Sequence, residues 1–411
     1  YNPNNKKIKD SVKFELLAMQ TYITYSNLCW NGLAENRKNQ SGWNRASKVI
    51  KYVAILSRLE TMSNPFDNPP VFFQYFLLKK YLNQFRANQN SNSIQVINKL
   101  KKYPSMGDSS HWIKTFIERC NLQGNFSIHS INYFDSSLFF AIQFLQRRYG
   151  LEVTGKINHD LVSALNVSIQ QRIQQIMVNM ERCRWIEVSH EPLELVVNIP
   201  DYAYYLIQHN QRIWIKKIIV GKEYQPTAIF NGMMQYIVFC PYWNIPPGIL
   251  KNEILPILSR NPGYLNKNDM EWNGKTIRQR PGPTNPLGNI KFLFPNAFNM
   301  YLHDTPGKYL FKQRKRTFSH GCMRIENAFE LAEFLLKREG DWSAEKMQSI
   351  IEAGKERTIV LKHSIPVHIT YLTCWVDENG EICFRNDVYG YDKKLWNILS
   401  TSSLKNDLFQ N

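Results

Sequence analysis

Near residue 192 the hydrophobic pattern of this chain changes its period, and that change limits the architectures open to it. Upstream, apolar residues recur at helical spacing, as in Leu16, Leu17, Met19, Tyr22, Ile23 and Leu28. A second helical stretch carries Val49, Ile50, Tyr52, Val53, Ile55 and Leu56, and a third carries Phe73, Tyr75, Phe76 and Tyr81. Downstream of Pro192 the runs are β-branched and aromatic: Leu195 to Ile199, Tyr204 to Ile207, Ile213 to Val220, Met234 to Phe239 and Lys291 to Phe294. Gln208-His209-Asn210-Gln211 reads as a hairpin turn, and Ala328, Leu331, Ala332 and Leu335 mark a helix over residues 328–337. Helices followed by strands predict a multidomain α+β protein, consistent with 411 residues, enough for about two or three domains.

Breakers refine the boundaries. Residues 1–93 read as a helical scaffold, interrupted by the Pro- and Asx-rich loop Ser63 to Pro70 and closed by the polar linker Asn88 to Ser93. Residues 94–168 form a small helical module. In it, Leu138, Ala141, Ile142, Leu145 and Tyr149 stripe one helix, Gly150 ends it, and Asn158 caps the next. Residues 169–191 give a helical connector with Ile173, Ile176, Met177 and Met180 on one face. Residues 192–395 are the mainly β domain, within which 242–282 is a Pro-, Asn- and Gly-rich insertion, and 396–411 is a tail. Tyr1 in place of Met points to a trimmed chain, so a signal sequence or anchor would lie upstream of it.

The formal charge is +17, but Lys and Arg are scattered, and their densest cluster (Lys312, Arg314, Lys315, Arg316) is short. No nucleic-acid motif accompanies them, so a carboxylate-rich polymer is the better partner than nucleic acid. The seven cysteines include no C-x-x-C pair, which argues against a structural zinc site. Six read as small buried residues. The seventh, Cys322, follows Ser319-His320-Gly321 and lies nineteen positions after His303. A nucleophilic cysteine needs a neighbour that takes its proton, and both histidines are candidates. Gly321 allows a sharp turn that frees backbone N–H groups for an oxyanion. A metallohydrolase reading of His303, Asp304, His320 and Cys322 fits less well, because adjacent strand residues point apart. The sequence predicts no metal and no cofactor.

Two resemblances follow from these residues. Ala141, Ile142, Gln146, Gly150, Leu151, Gly155, Ile157, Leu165 and Asn166 match the pattern of the three-helix peptidoglycan-binding domain, which has Phe and Thr where this chain has Leu145 and Leu161. His303 together with Ser319-His320-Gly321-Cys322-Met323-Arg324 resembles the catalytic signature of the YkuD-type L,D-transpeptidases. Trp243 to Pro247, Asn261 to Leu265, Pro286-Leu287-Gly288 and Pro366 to Tyr371 are similar to the large periplasmic branch of that family.

The resemblance implies roles residue by residue. Cys322 is the acyl-accepting nucleophile, and His303 its base, held by a backbone carbonyl. Gly321, Cys322 and Tyr301 supply oxyanion donors, and His320 shapes the turn. Arg324, Ser319, Trp243 and Asn244 meet substrate, and residues 242–282 cap the site. It further implies peptidoglycan stem peptides and glycan as partners, carbapenems as inhibitors, a monomer, and a periplasmic location reached by export or anchoring. The implied reaction releases D-Ala from a tetrapeptide stem and forms a 3→3 cross-link. An L,D-carboxypeptidase using water and a non-catalytic cell-wall binding protein are the alternatives.

Overall fold

The computed structural model describes residues 3–43, 50, 52, 71–87, 95–121, 123, 126, 128–186, 191–209 and 211–401, with residues 3–9 described by backbone alone. The loop expected at Ser63 to Pro70, the linker at Asn88 to Ser93 and most of the second predicted helix lie outside these residues. The chain forms two compact units, one comprising residues 1–188 and 372–411, the other residues 189–371.

The first unit is helical. Its long helices are Pro3–Asn31, Gln74–Ala87, His111–Asn121, Ser136–Arg148 and Ile169–Trp185. Asn158 caps the short helix His159–Leu165 by accepting from Leu161 N–H, and Ser168 with Gln171 forms a capping box on Ile169–Trp185. Gly150, at φ +63°, takes the left-handed position that ends Ser136–Arg148. Gln146 is fully buried: its Oε1 accepts from Thr154 and Gly155 N–H and its Nε2 donates to the Lys156 carbonyl. That residue of the matched pattern therefore pins a turn.

Residues 372–401 lie in this first unit, whereas the sequence places 372–395 with the β domain. The reason is a set of buried polar contacts. Gln74 exchanges two hydrogen bonds with the Val376 backbone, both at 2.8 Å. Asn179 bonds Thr373, and Arg182 pairs with Asp392 on the helix Tyr391–Ser400. None of these contacts has a periodic signature in sequence.

The second unit is built on one sheet of nine strands. They are β1 (Leu193–Asn198), β2 (Ala203–Gln208), β3 (Gln211–Gly221), β4 (Asn231–Phe239), β8 (Ile290–Leu293), β9 (Tyr301–His303), β10 (Thr317–Ser319), β11 (Met323–Ile325) and β12 (Arg357–Thr370). The order is β10-β3-β11-β9-β8-β4-β12-β1-β2, and β2 pairs again with β3. The pairing thus runs in a ring that leaves few open edges. Gln208 faces Gln211 across the expected hairpin. Leu195, Val197, Ile237, Phe292, Val367 and Ile369 fill the interior, and the helix Ala328–Leu336 buries Leu331 and Leu335.

Residues 242–282 make a separate small layer. Here β5 (Trp243–Asn244), β7 (Thr276–Gln279) and β6 (Met270–Asn273) pair in that spatial order. Ile245, Ile254, Met270 and Ile277 form its own apolar cluster. A short helical run, Pro247–Ile249 continuing through Leu250–Ile254 to Leu255–Leu258, hangs on that cluster through Ile254.

Arg182 is almost wholly buried, so removing Asp392 takes away the carboxylate of a buried ion pair. Asp392→Ala is expected to cost the first unit about 3–5 kcal/mol. The check is a lower denaturant midpoint for that unit's unfolding transition.

Candidate active site

Strand alternation assembles the site. β9 and β11 run parallel, with Leu302 opposite Met323 and His303 opposite Arg324. Side chains two apart share a face, so Tyr301 and His303 point the same way from β9. Arg324 joins them from β11, and Cys322 enters two residues earlier on the same side. All four line one cavity of about 300 Å³. Ser319, His320 and Trp243 line it as well, together with Gln225, Pro246, Gly248, Ile249, Asn252, Glu253, Pro286 and Leu287.

The turn that delivers Cys322 depends on Gly321 at φ +116°, a region L side chains rarely adopt. Its carbonyl accepts from Thr227 Oγ at 2.8 Å, and its N–H donates to Ser319 Oγ at 3.1 Å. The expectation that Gly321 lends its N–H to an oxyanion is therefore not met, because a buried serine hydroxyl already takes it. The remaining oxyanion donors of the sequence reading are the Cys322 N–H and Tyr301. Ser319 acts here on the turn. Asn244 is not brought into the cavity: it is exposed and pairs with Arg278 across β5 and β7.

His303 is buried, and its Nδ1 lies 2.6 Å from the Asp304 carbonyl oxygen. A carbonyl only accepts, so Nδ1 carries the proton and Nε2 keeps its lone pair. Burial first, and the Arg324 guanidinium second, lower its pKa to about 3. The imidazole is neutral at any physiological pH. Burial also pushes the Cys322 thiol up, against hydrogen bonds from the Tyr301 side chain and backbone and the charges of Lys291 and Arg324. Burial raises the Tyr301 phenol too, so it stays a proton donor beside the sulfur. The resting pair is a neutral thiol and a neutral imidazole.

Three contributors escape sequence reasoning. Lys291 sits opposite His303 on β8, with its Nζ 3.9 Å from the Tyr301 ring centre. Thr227 holds Gly321 and also accepts from Gly221 N–H. Glu253 is the only carboxylate among the cavity's lining residues, and its Oε1 lies 3.2 Å from His320 Nε2. None belongs to a motif, and a lone Lys, Thr or Glu carries no periodic signal. Arg324 has a buried Nε without a partner among the described residues. Asp304 is used locally: it accepts from Asn289 N–H and pairs with Lys308. No three His, Cys, Asp or Glu side chains gather as a metal site among the described residues.

The stretch that carries this site is similar to known proteins. Residues 192–360 match the family model of the L,D-transpeptidase catalytic domain, YkuD. A curated Haemophilus influenzae protein, provisionally named an L,D-transpeptidase, is 29% identical over 243 residues, covering 54% of this chain and 49% of the relative. The chain thus spans about half the length of the curated relative it matches. A solved L,D-transpeptidase from Stackebrandtia nassauensis covers 66% of this chain and 97% of its own at 10% identity and a TM-score of 0.27. Mycobacterium tuberculosis L,D-transpeptidase 1 covers 44% and 61% at 12% identity and a TM-score of 0.21.

Because the thiol sits above its ordinary range, thiolate is scarce near neutrality and grows as pH rises. Alkylation of Cys322 by iodoacetamide is expected to accelerate about tenfold per unit between pH 6 and 8. A rate already level at pH 6 would indicate a standing thiolate and contradict the neutral pair.

Proposed function

We propose that this chain, whose residues 192–360 carry a YkuD-type L,D-transpeptidase catalytic domain, uses Cys322 to transfer an acyl group between peptidoglycan stems. The observation that supports this most is that Cys322 and the fixed imidazole of His303 open onto one cavity, with the Tyr301 phenol against the sulfur.

The chemistry follows from the protonation states. Cys322 attacks the carbonyl between meso-diaminopimelate and the terminal D-Ala of a tetrapeptide stem as His303 Nε2 takes the thiol proton. A histidine with so low a pKa is a weak base at rest. The proton moves only as negative charge passes from sulfur to the carbonyl oxygen, where Tyr301 and the Cys322 N–H receive it. The protonated imidazole then gives its proton to the departing D-Ala amine. Arg324, whose guanidinium group belongs to a residue lining the cavity, suits a substrate carboxylate. The resulting thioester passes to a diaminopimelate amine of a second stem, forming a 3→3 cross-link, in the periplasm.

A carbapenem presents a strained carbonyl to the same sulfur and is expected to leave a covalent mass on the wild-type protein and none on Cys322→Ala. His303→Ala is expected to slow acylation by about 10²–10⁴-fold, and Tyr301→Phe by about 10²-fold. Stopped-flow measurement of adduct formation reads all three. Incubation with diaminopimelate-type tetrapeptide disaccharides reports the acceptor: dimers mark cross-linking, and tripeptide monomers alone mark an L,D-carboxypeptidase. A wild-type protein that takes no adduct and yields neither product would favour a binding protein.

A further inference from the structure

The second half of the proposed reaction needs an amine, and a side-chain amine with a lysine-like pKa arrives as an ammonium ion. The surroundings of Cys322 are unfavourable to a cation. Arg324 and Lys291 both act on the sulfur, and the chain as a whole carries +17. Among the residues lining the cavity one side chain has the opposite charge, Glu253.

Its position is built by the fold. Glu253 lies on the π-helical turn Leu250–Ile254, whose last residue is anchored in the cluster of Ile245, Met270 and Ile277. Its carboxylate reaches His320, two residues before Cys322, at 3.2 Å. The side chain remains about half exposed, so it is open to an incoming solute. His320 holds one oxygen and leaves the other to an incoming N–H donor.

We propose that Glu253 is the docking carboxylate for the acceptor amine, with His320 as its positioning residue. This rests on Cys322 as the acyl carrier. The ammonium binds at Glu253 and releases one proton to water. The amine lone pair then attacks the thioester carbonyl, the C–N bond forms and the C–S bond breaks. The second proton lost by nitrogen passes through His303 Nε2 to the Cys322 sulfur, restoring the thiol. Water needs no such anchor, so the carboxylate selects aminolysis over hydrolysis.

The test uses tetrapeptide disaccharide as donor, a diaminopimelate tripeptide as titrated acceptor, and Glu253→Gln and Glu253→Asp beside the wild type. In Glu253→Gln the dimer-to-tripeptide ratio is expected to fall about tenfold, with a higher KM for acceptor, and Glu253→Asp to recover part of it. The carbapenem adduct on each variant, read by mass, reports folding and the donor half separately. An unchanged ratio in adduct-forming Glu253→Gln overturns the assignment alone. Loss of the adduct in that variant also overturns it, since Glu253 would then serve the nucleophile. A wild type that forms the adduct yet gives only tripeptide overturns it as well. A wild type that takes no adduct fails the reading of Cys322, and the assignment falls with it.

Discussion

The hydrogen bond from His303 Nδ1 to the Asp304 carbonyl constrains everything else around the sulfur. It joins a buried ring to the backbone of the very next residue, so the imidazole cannot rotate without breaking its own strand end. An acid side chain in that place would stabilise imidazolium; a carbonyl dipole does so far less. With burial and the Arg324 charge added, the ring is held neutral and its free nitrogen faces the cavity. The site therefore stores no ion pair. Charge is generated only when a substrate carbonyl is present to receive it, which protects the thiol from idle reaction with small electrophiles and oxidants.

Tyr301 and Lys291 extend this logic one layer outward. The lysine lies over the phenol ring and is not among the residues lining the cavity, and the phenol in turn contacts the sulfur. Positive charge reaches the reacting atoms through an aromatic ring, softened in strength and shielded from competing for the substrate's own anionic groups. Arg324, by contrast, opens directly on the cavity. Two cations of equal formal charge thus differ in place, because one lines the cavity and the other does not.

How much of this was legible in sequence varied with the length scale of each signal. Long periodic runs gave β1 to β4, β8 and the main helices close to their observed bounds. The three-residue strands β9, β10 and β11 are too short for any period to register, although they carry the reacting residues. β12 is the opposite case: fourteen residues inside the sheet, yet Pro366 and the polar run Lys362-His363-Ser364 disguise it. The structure accommodates Pro366 beside a register irregularity between Val360 and Ile365, and pairing with β1 starts only at Val367. In the site, residues 301–303 and 319–324 stood out because they sit close together in the chain and follow a recognisable spacing. Thr227, Glu253 and Lys291 reach the same place from distant segments, and only the fold brings them there. Gly321 was found for its turn but assigned the wrong donor role, since nothing in sequence tells that Ser319 would claim its N–H.

The hydroxyl of Thr227 spans two backbones, accepting from Gly221 at the end of β3 and donating to Gly321. The nucleophile is thereby moored to the barrel-like ring itself, while the 242–282 layer meets the same turn where Glu253 approaches His320. That layer has an apolar cluster of its own. Changes there redraw the wall of the cavity while the Thr227 bonds to Gly221 and Gly321 stay in place. Selectivity is thereby open to revision in one patch, apart from the bonds that hold the sulfur's turn.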